Sequence, residues 1–89
     1  MPIPVELKAK RIVTLVRENK LVDIVCFEYE HDQLEKYEHL VGAKVNVTLI
    51  DTNGEFSTPR DTFLQSIRAP NRGNWGAPDD VMIVTIYQP

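Results

Sequence analysis

One cysteine, two histidines and four glycines in 89 residues leave little material for redox, metal or phosphate-loop chemistry. A lone Cys26 cannot close an intrachain disulfide. No hydrophobic run approaches the length of a membrane span, and the start MPIPVELKAK lacks the apolar core of a signal peptide, so the chain reads as cytosolic. No GxSxG, no HExxH, no phosphate-cradling glycine loop, no internal repeat and no low-complexity tract occurs. A positive balance is missing too: the net charge is −3, which disfavours nucleic acid as a partner of the whole surface.

What is present suits one small globular domain, residues 1–89. Hydrophobic residues make up 43% and charged residues 26%, which argues against disorder. A chain this long buries roughly 60 to 65% of the surface it exposes when unfolded. The charge is unevenly spread: residues 1–20 carry +3, residues 21–55 carry −6 and residues 56–89 are balanced. Such asymmetry decides which partner approaches which side.

The stretch FEYEHDQLEKYEHLVGAKVNVTLID, residues 27–51, organises the reading. Asp32 is placed to cap a helix over 33–41, with Glu35 reaching back as in a capping box. Leu34, Tyr37, Leu40 and Val41 form its apolar face, Gln33, Lys36 and Glu38 point to water, and Gly42 supplies the left-handed stop. A helix this short is marginal alone, so it must dock on a sheet. Ala43, Val45, Val47 and Leu49 then alternate with Lys44, Asn46 and Thr48 as a half-buried strand.

Val5–Val16 and Leu21–Tyr29 read as a hairpin around Glu18, Asn19 and Lys20. A three-residue loop sets Arg17 opposite Leu21, Lys10 opposite Glu28, Lys8 opposite Glu30 and Arg11 across from Phe27, where the guanidinium can stack. That register assigns Leu7, Ala9, Val13, Leu15, Val25, Phe27 and Tyr29 to the core face. Ile12, Thr14, Val16, Val22, Ile24 and Cys26 are left as an apolar patch on the back. Either residues 56–80 fold over that patch or it is a homodimer or partner surface, with Ile12, Val16, Val22, Ile24 and Cys26 as its residues.

Asp51-Thr52-Asn53-Gly54 signals a turn. Thr58-Pro59-Arg60-Asp61 reads as the start of a second helix, about 59–68, with Phe63, Leu64 and Ile67 as its stripe. Residues 70–80 form a long irregular loop. Val81–Tyr87, apolar on both faces, belongs in the middle of a sheet. The expected class is therefore α+β: an antiparallel sheet of about four strands, order ββα(β)αβ, with one main helix on one face. This order is similar to the β-grasp arrangement of ubiquitin-like domains, in which the final strand pairs with the first. The likeness is topological and implies no function.

Among candidate sites, His31, Glu35 and His39 stand four residues apart, the spacing at which one helix face presents metal ligands, so a metal-dependent enzyme is one alternative. Asp32 as a cap places His31 outside the helix, and His39 suits the carbonyl end of a helix without metal. Glu28, Glu30, Asp32, Glu35 and Glu38 form an acidic edge. General acid–base catalysis would need some of them buried with divergent pKa values, which nothing in the sequence imposes. Arg68, Arg72 and Trp75, with Arg60 nearby, combine cations and an aromatic ring in or beside the long loop, a composition suited to single-stranded nucleic acid or a protein hot spot. Trp75 also suits a lid on the core. Cys26, between Val25 and Phe27, reads as a small apolar residue.

The reading favoured is a non-enzyme without cofactor or metal: a protein-binding module using Glu28, Glu30, Asp32, Glu35, Glu38, Arg68, Arg72 and Trp75 toward a basic partner. A small inhibitor or adaptor of a phage or mobile element fits that description. The alternative is a nucleic-acid-binding accessory protein using Lys8, Lys10, Arg11 and Arg17 with the arginine loop.

Overall fold

Six strands and one short helix make up the computed structural model, which describes residues 2–58, 61–70 and 80–89. In chain order they are β1 (Ile3–Val16), β2 (Leu21–Tyr29), α1 (Asp32–Tyr37), β3 (Lys44–Asp51), β4 (Gly54–Ser57), β5 (Thr62–Arg68) and β6 (Val81–Tyr87), with a 3₁₀ turn, Glu38–Leu40, after α1. Neighbouring strands run β1-β2-β6-β5-β3, and β3 returns to β1, so five strands close a mixed barrel; β4 hairpins beside β3. With 64% of the described residues in strands and 12% helical, the expected α+β class with one main helix on an antiparallel sheet is corrected to a β-barrel. The β-grasp likeness falls as well, since β6 pairs with β2 and β5 and not with β1.

The hairpin register is as the sequence implies. Arg17 N–H donates to the Leu21 carbonyl at 2.7 Å, and the ladder runs from Val16 opposite Val22 to Ala9 opposite Tyr29. Asn19 and Lys20 take left-handed backbone in the turn (φ 60° and 63°). Lys10 sits 3.4 Å from Glu28, and the Arg11 guanidinium lies 5.1 Å from the Phe27 ring centre.

The faces, however, are exchanged over the distal half of this hairpin. Ile24 and Cys26 are fully buried, Ile12 and Val22 pack against the core, and Leu15 is half exposed. The patch assigned to the back of the sheet is thus largely barrel interior, and Thr14 and Val16, the latter 85% exposed, remain outside. Cys26 and Tyr29 both face inward although three residues apart, because Glu28 between them adopts a left-handed φ of 51° and resets the alternation. Lys10 and Arg11, consecutive and both exposed, mark the matching break in β1.

Closure depends on β1 and β3. Residues 3–8 of β1 lie parallel to residues 45–50 of β3, from Ile3 opposite Val45 to Lys8 opposite Ile50. Val5, Leu7, Val45, Val47 and Leu49 from this seam meet Ile24, Cys26, Leu64, Met82, Val84 and Ile86 in one core. The alternation expected for β3 and the central place expected for β6 are both present.

The second expected helix is a strand instead. Thr58 caps nothing: its hydroxyl and N–H bond the Val47 backbone, at 3.2 and 2.8 Å. Asp61 takes a φ of 63° and pairs with Lys44 at 2.6 Å, and β5 follows. Between Leu64 and Ser66 the register with β6 slips by one residue, a β-bulge at Gln65. Leu64 and Ile67, opposite the inward Ile86 and Val84, therefore share the inner side at a spacing of three, which imitates a helical stripe. Strand β4, exposed at all four residues, has no buried face to mark it in the sequence. Pro59 and Arg60 lie outside the described residues.

Helix α1 is shorter than expected and starts differently. His31 occupies the capping position with helical φ and no side-chain cap bond, so Asp32 is the first helical residue and the Asp32–Glu35 capping box does not form. Leu34 and Tyr37 are buried and Leu40 packs on the core, whereas Val41 is exposed. Gly42 takes the expected left-handed φ of 93°. Gln33, expected in water, is 4% exposed. Its Oε1 accepts from Lys8 N–H at 2.7 Å, and its Nε2 donates to the carbonyls of Lys8 (2.8 Å) and Glu30 (3.0 Å). One side-chain amide thus acts as a stub of strand where β1 leaves β3 for β2. Tyr37 Oη accepts from Glu6 N–H at 3.2 Å and fastens the same helix one step back along β1.

Two outcomes test this arrangement. Gln33→Ala removes the whole fork and should destabilise by about 2 kcal/mol, lowering Tm by roughly 10 °C in thermal unfolding. Cys26, whose thiol is pushed up to about 12 by burial, should react with a thiol reagent at least ~100-fold more slowly in the native protein than in denaturant; equal rates would place it on a surface.

Candidate functional site

The acidic stretch begins where β2 ends. Left-handed backbone at a residue with a side chain costs roughly 1 kcal/mol, and at Glu28 it is held by bonds on two sides. Glu28 N–H donates to the Asp80 carbonyl at 3.2 Å, and its carboxylate faces Lys10. Asp80, just before β6, is 2% exposed, and its Oδ2 lies 2.8 Å from His31 Nε2. The Tyr29 ring stacks on the His31 ring at 4.4 Å and 9°. A buried carboxylate is tolerable only with a partner, and the imidazole provides one. The turn from β2 into α1 is thereby pinned to the start of β6.

From the end of β2 through this anchored turn and α1 to the 3₁₀ turn, Glu28, Glu30, Asp32, Glu35 and Glu38 are all exposed. Beside them runs a shallow groove of about 360 Å³ lined by Lys8, Lys10, Glu28, Glu30, Asp51 and Thr52, among others. Its floor is made by backbone already in use: Glu30 N–H donates to the Lys8 carbonyl, and Thr52 N–H to the Lys10 carbonyl. The Lys8 ammonium lies 3.9 Å from Glu6, so its meeting with Glu30 is through the backbone and not through the expected charge pair. Such a surface offers exposed carboxylates to a cationic partner, with Glu28 already shared with Lys10.

Nothing matches in comparisons of this chain with protein-family models, with curated proteins and with solved structures. The site is therefore read from its own geometry.

The other sequence candidates fall out differently. His31 is engaged by Asp80, and among the described residues no group of three or more His, Cys, Asp or Glu side chains is placed to hold a metal ion, so His31, Glu35 and His39 do not converge. The four cations of the nucleic-acid reading each lie against a carboxylate or a ring: Lys8 by Glu6, Lys10 by Glu28, Arg11 over Phe27 and Arg17 3.3 Å from Asp23. Arg68 ends β5 and is exposed, while Arg72 and Trp75 lie outside the described residues. Among the described residues no helix is long and apolar enough to cross a membrane.

Two polar constellations escaped the sequence. Neither His31–Asp80 nor Asp23–Thr85 has a local signal, since their members are 49 and 62 residues apart. Thr85 Oγ1 donates to Asp23 Oδ1 at 2.7 Å, and this bond, with Arg17 and more distant Arg68, holds the Asp23 carboxyl below its ordinary value against the opposing effect of burial. A carboxylate with a depressed folded pKa stabilises above its unfolded pKa, and that contribution is lost as pH falls through the folded value. Asp23→Asn should therefore be less stable than the parent at neutral pH. The gap should narrow progressively below about pH 4 in urea titrations at stepped pH, whereas a constant gap would exclude the linkage.

Proposed function

We propose that this chain is a non-catalytic protein-binding module whose acidic edge receives a basic partner, such as a protein that handles nucleic acid. A small inhibitor or adaptor carried by a phage or mobile element would act in this way, competing with nucleic acid for a cationic groove. One observation carries the reading: Glu28, Glu30, Asp32, Glu35 and Glu38 are all exposed between the end of β2 and the 3₁₀ turn after α1, and the Asp80–His31 pair ties the β2–α1 turn among them to the start of β6. Carboxylates on a fixed scaffold present a preorganised field, and such fields act mainly on encounter rates.

The experiment uses a fluorescent lysine- and arginine-rich peptide as the cationic probe in stopped-flow mixing at low salt. Glu35→Lys combined with Glu38→Lys should slow association about tenfold while thermal stability stays within roughly 0.5 kcal/mol of the parent. An unchanged association rate rejects the acidic edge as the docking surface. Retention on heparin that falls steeply with salt would favour the nucleic-acid alternative in its place.

A further inference from the structure

Asparagine is a thermolabile residue, because its side-chain amide is open to attack by the backbone nitrogen of the residue that follows it. Three asparagines fall among the described residues, and their surroundings separate them. Asn46 sits inside β3, and the next nitrogen, that of the buried Val47, is bonded to Thr58 Oγ1 at 3.2 Å. Asn19 precedes Lys20, whose side chain crowds the nitrogen and whose left-handed φ of 63° is set by the β1–β2 turn. Asn53 is exposed in the two-residue turn between β3 and β4, and Gly54 follows it.

No side chain crowds the Gly54 nitrogen. Its φ is 133°, and no atom beyond its chain neighbours lies within 4 Å of the place a Cβ would take. Asp51 stands opposite Gly54 as the last pair of the β3–β4 ladder, and all four residues of β4 are exposed, so this pair opens locally at low cost. Asp51 also holds Asn53, its Oδ1 accepting the Asn53 N–H at 2.8 Å. The same turn is fastened to β1: Asp51 Oδ2 accepts from Ile12 N–H at 3.1 Å, and Thr52 N–H and Oγ1 donate to the Lys10 carbonyl at 3.4 and 3.1 Å.

We infer that Asn53 is a self-modifying site, deamidating through a cyclic imide to isoaspartate and aspartate, and that the isoaspartyl form releases the β3–β4 turn from β1. The Gly54 nitrogen bonds to Asn53 Cγ and gives up its proton, while the Cγ–Nδ2 bond breaks and the side-chain nitrogen leaves as ammonia. Water then adds to one of the two ring carbonyls and breaks its bond to the Gly54 nitrogen, which regains a proton. Opening at the side-chain carbonyl leaves aspartate. Opening at the main-chain carbonyl leaves isoaspartate, with the chain running on through Cβ and Cγ. Both products gain a negative charge, but only isoaspartate adds a carbon to the main chain between residues 53 and 54. Turn length fixes register in a hairpin this tight, so the added carbon displaces Asp51 from Gly54 and carries its carboxylate away from Ile12. The new charge beside Asp51 is exposed and costs little by comparison. Water is the only co-reactant, so the change needs no enzyme and is independent of the acidic edge.

The test holds the folded protein for days at mildly alkaline pH beside a guanidinium-unfolded sample. Tryptic peptide 45–60 is then read by electron-transfer fragmentation, which tells isoaspartate from aspartate. Asn53 should convert in the folded protein within about tenfold of the unfolded rate and give both products, while Asn46 in the same peptide stays intact. Asn53→Gln, whose longer side chain disfavours the five-membered ring, should lose the reaction. In amide exchange followed by NMR, the deamidated fraction separated by anion exchange should lose protection at Ile12 in proportion to its isoaspartate content. Asn53→Asp, with the same added charge and an unaltered main chain, should keep that protection. An intact Asn53 when the unfolded sample has converted overturns the inference, as does aspartate without isoaspartate, the product of direct hydrolysis. Equal conversion at Asn46 overturns the selection of Asn53 by the fold. Full Ile12 protection in the isoaspartate-rich fraction, or equal loss in Asn53→Asp, overturns the release of the turn.

Discussion

The parallel seam between β1 and β3 is the constraint on which the rest of the structure depends. It joins residues near the start of the chain to residues beyond its helix, and it turns a sheet with a covered and a bare side into a tube with one interior. Without it Val5, Leu7, Val45 and Val47 would lose each other, and the inward residues of β2 and β6 would face water. Burying a side chain of this kind contributes roughly 1.5 to 3 kcal/mol, so no surface ion pair here competes with the seam in importance. The seam ends where β1 must change neighbours, and the protein fills that gap with one amide, Gln33, and one carboxylate, Asp51.

Much of the fold was legible wherever local chemistry is sufficient. Turn length and charge pairing set the β1–β2 register, alternation set β3, and two apolar faces marked β6 as a strand with neighbours on both sides. The errors share one cause, a change of phase inside a strand. Regular alternation through Glu28 would set Cys26 and Tyr29 on opposite sides, yet left-handed backbone at Glu28 puts them on the same side. The bulge at Gln65 did the same to β5, converting strand spacing into an apparent helix. With β5 as a helix no strand would join β6 to β3, and the interior of the barrel would be the back of a sheet.

The candidate site divides along the same line. Exposure of Glu28, Glu30, Asp32, Glu35 and Glu38 follows from charge and composition, and was legible. What fixes them was not, because His31 finds Asp80 only through the placement of β6 beside β2. The spacing of Asp32 and Glu35 is that of a capping box, which the helical conformation of His31 pre-empts. Polarity alone places Gln33 in water, and only the loss of a neighbour strand at Lys8 makes its burial favourable.

The central position of β6 has a consequence for how the molecule comes together. It supplies Met82, Val84 and Ile86 to the core and joins β2 to β5, yet it follows the other five strands in chain order. During synthesis the inner wall made by Ile24 and Cys26 therefore waits without cover until β6 has left the ribosome. The contacts that end this wait span most of the chain, a topology that folds slowly. Over that interval the nascent chain displays two apolar strands to its surroundings, and its yield in a cell depends on what meets them first.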